Sequence, residues 1–305
     1  MTPFQRYLAE EVAEDHADGL IPRREALSRL ALLGLGLPAA AALLAACGAP
    51  EENAATPPSA PPAASTPPVA ASPAGPAPLP TEEITFPGPE GRLMGAFASA
   101  AAEPRGAVLV VHENRGLNDH TRSVAGRLAA EGYSALAIDL LSREGGTTAL
   151  GESGQVSAAL SAAAPERFAA DMKAGLDELE RRAPGAKLGA VGFCFGGGMV
   201  WLLLSSGESR LAAGVPFYGP LPDGADFAGT EAAVLGIYGE DDARVNATRD
   251  AAKAALDRAG LTSELVTYPG AGHAFFNETG ARYNPQAAGE AYQKLTEWFG
   301  EHLAG

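Results

Sequence analysis

One stretch limits what this chain can fold into more than any other: Gly192-Phe193-Cys194-Phe195-Gly196-Gly197-Gly198. An apolar run from Leu188 to Phe193 leads in, and a helix-forming run from Met199 to Ser205 leads out. That order predicts a strand, a sharp turn and a helix, with Cys194 at the apex. The spacing G-x-C-x-G is that of a nucleophile elbow, with sulfur in place of the serine oxygen. Small neighbours suit such a turn, because the apex backbone is strained and the helix passes close to the strand. Two other readings attach to the same residues. A glycine-rich strand–helix turn can cradle a phosphate, but the Lys-Ser/Thr ending of a P-loop is absent. A cysteine in such a turn can also be an inert core residue.

The 305 residues suffice for one large or two ordinary domains, and a hydrophobic fraction of 46% is ample for a core. A formal charge of −15 disfavours nucleic acid and anionic membrane surfaces as partners. The two cysteines, Cys47 and Cys194, and five unclustered histidines give no zinc signature. Neither a metal nor a cofactor is expected.

The amino-terminal 80 residues read as separate from the folded region. A polar, acidic start is followed by Arg23-Arg24, an apolar stretch from Leu30 to Ala46, and Leu44-Ala45-Ala46-Cys47-Gly48. A positive patch, an apolar core and small residues before a cleavage point form a secretory signal over residues 1–46. The arginine pair resembles a twin-arginine export signal. Leu-Ala-Ala-Cys resembles a bacterial lipoprotein box, which makes Cys47 the lipidation site. The competing reading is an uncleaved anchor, although the apolar run is short for a span and is interrupted by Pro38 and glycines. Residues 47–80 then comprise the lipidated cysteine and an Ala/Pro/Ser/Thr-rich linker that lacks core-forming residues. The expected location is extracytoplasmic, with membrane contact through the lipid. Lipidation of Cys47 would leave Cys194 as the remaining thiol in a compartment that permits disulfides.

From residue 81 onward, apolar strand-like runs alternate with helix-like spacing. Short extended segments flank Pro87-Gly88-Pro89 as a hairpin. Strands are expected over Ala107 to His112, Ser134 to Leu140, Leu188 to Phe193, Leu211 to Tyr218, Ala233 to Tyr238 and Ser263 to Tyr268. Helices are expected over Asn118 to Gly132, Pro165 to Arg182, Met199 to Ser205, Val245 to Gly260 and Gln286 to Leu303. Ser142 to Ala164 fits either a loop or a small cap helix. The alternation implies one α/β domain over 81–305, a mostly parallel twisted sheet covered by helices on both faces. In such sheets active residues lie beyond the carboxyl ends of strands.

The chemically suggestive residues do follow strands. Cys194 is succeeded in the chain by Gly239-Glu240-Asp241-Asp242-Ala243-Arg244-Val245, and then by Gly272-His273-Ala274-Phe275. Nucleophile, acid, histidine is the order of α/β-hydrolases. A thiol needs a base to become thiolate at neutral pH, and imidazole suits that task. The imidazole needs an acceptor to fix its tautomer. Asp242 fits that role better than Asp241, because its G-x-x-D-x-x-V spacing matches the acid loop of this fold. In the loop after His112, the backbone N–H of Asn114 and that of Phe195 are the candidate oxyanion donors. Glu113 in that loop reads either as a salt-bridge partner of Arg115 or Arg143, or as a carboxylate acting on the thiol proton.

Together, His112-Glu113-Asn114-Arg115-Gly116-Leu117, Asp139-Leu140-Leu141-Ser142-Arg143, Gly192 to Gly197, Gly239 to Val245 and Gly272 to Phe275 resemble the dienelactone hydrolase (carboxymethylenebutenolidase-like) family. The resemblance spans roughly Glu82 to His302. It implies a Cys194–His273–Asp242 triad, and a role for Glu113 in holding the resting thiol and helping to generate the thiolate when substrate binds. It also implies a small-molecule ester or lactone substrate. The N-terminal arrangement resembles exported members of the family. One departure bears on substrate. Where the family has an arginine four residues after the histidine, to bind a substrate carboxylate, this chain has Asn277. Arg115, Arg143 and Arg282 are the possible substitutes.

The expected function is therefore hydrolysis of an ester or lactone through an acyl-enzyme. The alternatives are a general carboxylesterase or thioesterase, or a non-catalytic tethered binding protein on the same scaffold. His112 is expected to end a buried strand, His120 to begin a helix, and Trp201 and Trp298 to be core residues. Oligomeric state is not legible.

Overall fold

The computed structural model describes residues 3–47, 74–151 and 153–304. These form two units, divided after Pro73.

The amino-terminal unit consists of three helices: α1 (Pro3–Ala17), α2 (Arg23–Leu32) and α3 (Leu37–Cys47). Helix α1 packs on both α2 and α3. The apolar stretch from Leu30 is divided between α2 and α3, with Gly34 at φ 86° in the turn between them. Among the described residues no helix is long and apolar enough to cross a membrane. Most of the expected linker, residues 48–73, lies outside the described residues. Its last part does not behave as a linker. The second unit begins at Ala74, not at residue 81. The Leu79 N–H donates to the Gly126 carbonyl (3.0 Å), and the buried Arg127 donates to the Ala74 carbonyl (2.5 Å). A side chain at Gly126 would strike Leu79 and Pro78.

The second unit is built on eight strands in the order β1-β2-β4-β3-β5-β6-β7-β8. They are β1 (Glu82–Gly88), β2 (Gly91–Ala98), β3 (Ala107–Val111), β4 (Ser134–Asp139), β5 (Leu188–Phe193), β6 (Leu211–Phe217), β7 (Ala233–Gly239) and β8 (Ser263–Tyr268). Strand β2 runs antiparallel to β1 and β4, and every other pairing is parallel. All residues of β3, β4, β5 and β7 are buried. Successive side chains on a strand face opposite ways, so both faces of the central sheet are covered. Edge strand β8 is mostly half-buried.

Helices α4 (Asp119–Ala130), α7 (Pro165–Arg182), α8 (Phe195–Ser205), α10 (Arg249–Ala259) and α11 (Pro285–His302) pack against the sheet. Trp201 on α8 and Trp298 on α11 are buried, as the sequence predicts. The Ser142–Ala164 stretch resolves into a 3-10 turn (Ser142–Glu144) and two short helices, α5 (Thr147–Leu150) and α6 (Ser153–Ala162). The helix expected from Val245 starts earlier and is broken in two, α9 (Ala243–Asn246) and α10. Asp242 caps α9 by accepting from the Val245 N–H (3.1 Å). At the break, the Thr248 hydroxyl donates to Val245 O (2.8 Å).

The β5–α8 turn forms because its glycines allow three backbones to meet. A Cβ on Gly192 would collide with the Gly196 carbonyl. One on Gly196 would enter the Val111 and His112 carbonyls, and one on Gly197 the Phe217 carbonyl. These obstacles are backbone atoms of α8, of β3 with the residue after it, and of β6, which cannot rotate aside. Gly196→Ala is therefore expected to cost about 1–3 kcal/mol, the range for overpacked cores. Urea unfolding followed by circular dichroism checks this, and a midpoint unchanged from wild type would contradict it.

Candidate active site

Strands β3, β5, β6, β7 and β8 deliver Glu113, Cys194, Tyr218, Asp242 and His273 from their carboxyl ends. Parallel pairing brings these ends to one edge of the sheet. Backbone strain gathers there too. Among the described residues, the non-glycine residues with positive φ are Cys194 (55°), Tyr218 (34°) and Ala274 (59°). Each such conformation costs on the order of 1–3 kcal/mol and persists only where surrounding structure imposes it. At Cys194 the constraint is visible: its N–H donates to the Phe217 carbonyl (3.1 Å) and its carbonyl accepts from the Gly198 N–H (3.1 Å).

His273 and Asp242 are both buried, and the His273 Nδ1–Asp242 Oδ2 distance is 2.6 Å. Asp242 uses its two oxygens differently, Oδ1 to cap α9 and Oδ2 to hold the imidazole. The backbone N–H three residues on, that of Val245, thus orients the carboxylate. Asp241 is exposed and only its backbone is engaged, with its N–H donating to Ala271 O (2.9 Å). Burial works against the charge of Asp242. The His273 imidazole, by charge and by hydrogen bond, together with Arg244, outweighs burial and holds the carboxyl below its ordinary range. A ring nitrogen of His273 lies within 4.8 Å of the Cys194 sulfur. With Nδ1 directed at Asp242, proton exchange with the thiol falls to Nε2.

Glu113 is buried, and neutral groups bind both its oxygens. Asn277 Nδ2 donates to Oε2 (2.7 Å) and the Tyr218 hydroxyl to Oε1 (3.4 Å). Its expected salt-bridge partners lie elsewhere. Arg143 pairs with Asp171 (2.7 Å) and with Glu90, joining α7 to the β1–β2 hairpin. The Arg115 side chain is exposed. Tyr218 was read only as the end of a strand. The Tyr-Gly-Pro sequence after that strand is the signal that could have marked it as a turn. Its ring meets the His273 ring edge-on, with centroids 5.3 Å apart. Burial, then the charges of Glu113 and Cys194, push its hydroxyl well above its ordinary pKa, so it remains a neutral donor.

The loop carrying Glu113 and Asn114 is pinned on several sides. His112 follows β3 in the interior, as expected. Its Nε2 accepts from the Leu140 N–H (3.2 Å), so its Nδ1 carries the proton given to the Glu113 carbonyl (2.7 Å). Burial lowers its pKa, which keeps this tautomer neutral. The Asn114 carbonyl accepts from the Ser157 hydroxyl (3.1 Å). Thr147 Oγ1 accepts from the Leu117 N–H (2.9 Å) and donates to Asp139 (2.9 Å). Asp139 and its neighbours thus hold the loop in place. Phe195 is the first residue of α8, so its amide lies at the positive end of the helix. On the other side, the His273 loop is tied to α4. Glu278 lies 2.7 Å from His120 Nδ1 and 3.6 Å from Arg127. Phe193, Phe217 and Phe276 pack beneath, with centroids 4.8–5.2 Å apart.

Asp242 yields a pH prediction. A carboxyl depressed on folding contributes stability that is complete above the ordinary value of about 3.9 and is lost as pH falls through the lower folded value. Asp242→Asn should flatten the acid limb of a stability–pH curve measured by urea unfolding between pH 6 and 3. An unchanged slope would contradict the pairing.

Known proteins resemble this chain in sequence and fold. The model of the dienelactone hydrolase family matches residues 94–303. A Methylorubrum extorquens protein named "Putative carboxymethylenebutenolidase" is 33% identical over 239 residues, covering 72% of this chain and 80% of its own. A Salmonella typhimurium protein of the same name is 31% identical over 255 residues, covering 76% and 94% respectively. Among solved structures, the dienelactone hydrolase-like promiscuous phosphotriesterase P91 from metagenomic libraries aligns with a TM-score of 0.62. It is 26% identical over 73% of this chain and 98% of that one.

Proposed function

This chain belongs to the dienelactone hydrolase family of α/β-hydrolases, and from that premise we propose that it cleaves an ester or lactone through a thioester on Cys194. His273 Nε2 removes the thiol proton, and the sulfur attacks the carbonyl carbon. The amides of Phe195 and Asn114 donate to the resulting oxyanion. Such a donor is worth about 3–4 kcal/mol in well-studied acyl transfer. Collapse of the tetrahedral species breaks the carbon–oxygen bond, and His273 gives its proton to the leaving alkoxide. Water then enters, His273 takes its proton, and hydroxide attack on the thioester releases the acid and the thiol. Asp242 holds the imidazole tautomer and stabilises the imidazolium. Glu113, beside Tyr218, sets the charge that the thiol faces.

The observation that carries this reading is the Asp242–His273 bond of 2.6 Å with Cys194 Sγ within 4.8 Å of the same ring, on a backbone strained at the nucleophile. Cys194→Ala should abolish hydrolysis of an activated ester while leaving the circular dichroism spectrum unchanged. Peptide-mapped alkylation should label wild-type Cys194 at pH 6, below the ordinary thiol value of about 8.5, and His273→Ala should remove that reactivity. Full turnover by the alanine variant would sink the mechanism. An inert Cys194 together with no turnover would favour the non-catalytic reading.

The amino-terminal segment supports a second proposal, export and lipid attachment at Cys47, on the strength of Arg23-Arg24 and Leu44-Ala45-Ala46-Cys47. Cells expressing the chain should incorporate labelled palmitate into it, and Cys47→Ser should eliminate the label. Label retained in that variant would refute the assignment.

A further inference from the structure

We infer that this site selects uncharged esters or lactones against substrates with a carboxylate near the scissile bond, and that Asn277 and Glu113 are the selecting residues. The inference names the substrate class of the acyl-transfer site proposed above and rests on that reading.

Glu113 follows directly from the strand that delivers the oxyanion loop, and Tyr218 links it to both His273 and the charge of Cys194. Its carboxylate therefore lies close to the proposed reacting groups. Both groups that bind it are neutral, an amide at 2.7 Å and a phenol at 3.4 Å. Hydrogen bonds from neutral donors hold a carboxylate without cancelling its charge. The orientation of the amide is fixed as well. Asn277 Oδ1 accepts from the Thr279 N–H (3.0 Å) and hydroxyl (2.7 Å), so its NH2 end is the one turned to Glu113. That amide is already donating and carries no charge to offer an incoming anion.

Interior guanidinium groups on neighbouring elements have other carboxylates, whereas Arg115, in the Glu113 loop, is exposed. Arg127 faces Glu278 on the Asn277 loop, Arg143 binds Asp171 and Glu90, and Arg167 binds Glu144 and Asp171. Arg244 lies on the Asp242 side, where it helps depress that carboxyl. Arg282 is half-buried on the His273 loop. A substrate carboxylate is normally recognised by a bidentate guanidinium. Here the fixed group held by Asn277 and Tyr218 has the same sign as a substrate carboxylate, and like charges in a buried site disfavour each other.

The test uses two esters with one leaving group, 4-nitrophenyl butyrate and the 4-nitrophenyl monoester of succinic acid, with the full chain. Wild type should show kcat/KM at least about tenfold higher for the butyrate, the scale of discrimination that pocket contacts supply. Asn277→Arg should move the ratio toward the succinate monoester, chiefly through KM. Equal use of the two esters, or preference for the succinate, would overturn the inference, and loss of that preference in Arg282→Gln would identify the cation responsible. The wild-type ratio decides the matter even if Asn277→Arg fails to fold. Release of no nitrophenolate from either ester, with Cys194 also inert to alkylation, would instead overturn the acyl-transfer reading.

Discussion

The close passage of α8 across β3, β5 and β6 is the constraint on which the site depends. Gly192, Gly196 and Gly197 let the backbones come together, and their contact forces Cys194 to φ 55° and ψ −117°. That strain places the sulfur at the apex and puts the Phe195 amide at the start of a helix. Fully buried β3 and β5 supply the rigid support the strain needs. An isolated peptide of this sequence would relax to an ordinary turn, because nothing would hold the unfavourable dihedral angles.

The other site elements are held by polar contacts that reach across the chain. Asp139 and Thr147 fix the loop after β3 from β4 and α5, and His112 joins that loop to Leu140. Glu278, with His120 and Arg127, fixes the histidine loop to α4. Breaking one partner of a buried charged group leaves the other uncompensated, so these contacts favour a single loop geometry. Motif residues that do no chemistry thereby determine where the chemical ones stand. The aromatic cluster of Phe193, Phe217 and Phe276 adds a stiff floor, each pair contributing about 0.5–1.5 kcal/mol beyond area burial.

Much of this was legible from residue order. Buried strands are short apolar runs, and the runs at Leu188–Phe193 and Ser263–Tyr268 coincide with β5 and β8. The helix over Pro165–Arg182 was legible from its apolar spacing and its opening proline. The Asp242 assignment followed from local spacing, since an Asx cap is set within three residues. The break between α9 and α10 was not legible, because helix periodicity continues through Thr248 and only the turn geometry interrupts it. The packing of Ala74 to Pro80 on α4 was missed for a similar reason. Composition records that these residues are too small to form a core, but not that Gly126 leaves room for them.

The chain by itself determined the fold class, the strand–turn–helix at Cys194 and the order of Cys194, Asp242 and His273 after successive strands, because these depend on local periodicity and near-neighbour spacing. Only the tertiary structure decided the surroundings of Glu113. The sequence offered it arginine partners, and the fold gave it Tyr218, 105 residues away, and Asn277, 164 residues away. Arg143, close in sequence, went to Asp171. The physical reason is that a parallel sheet gathers the ends of strands that are distant in sequence. The partners of a buried charge at that edge are set by which loops meet there, and no local pattern encodes that meeting.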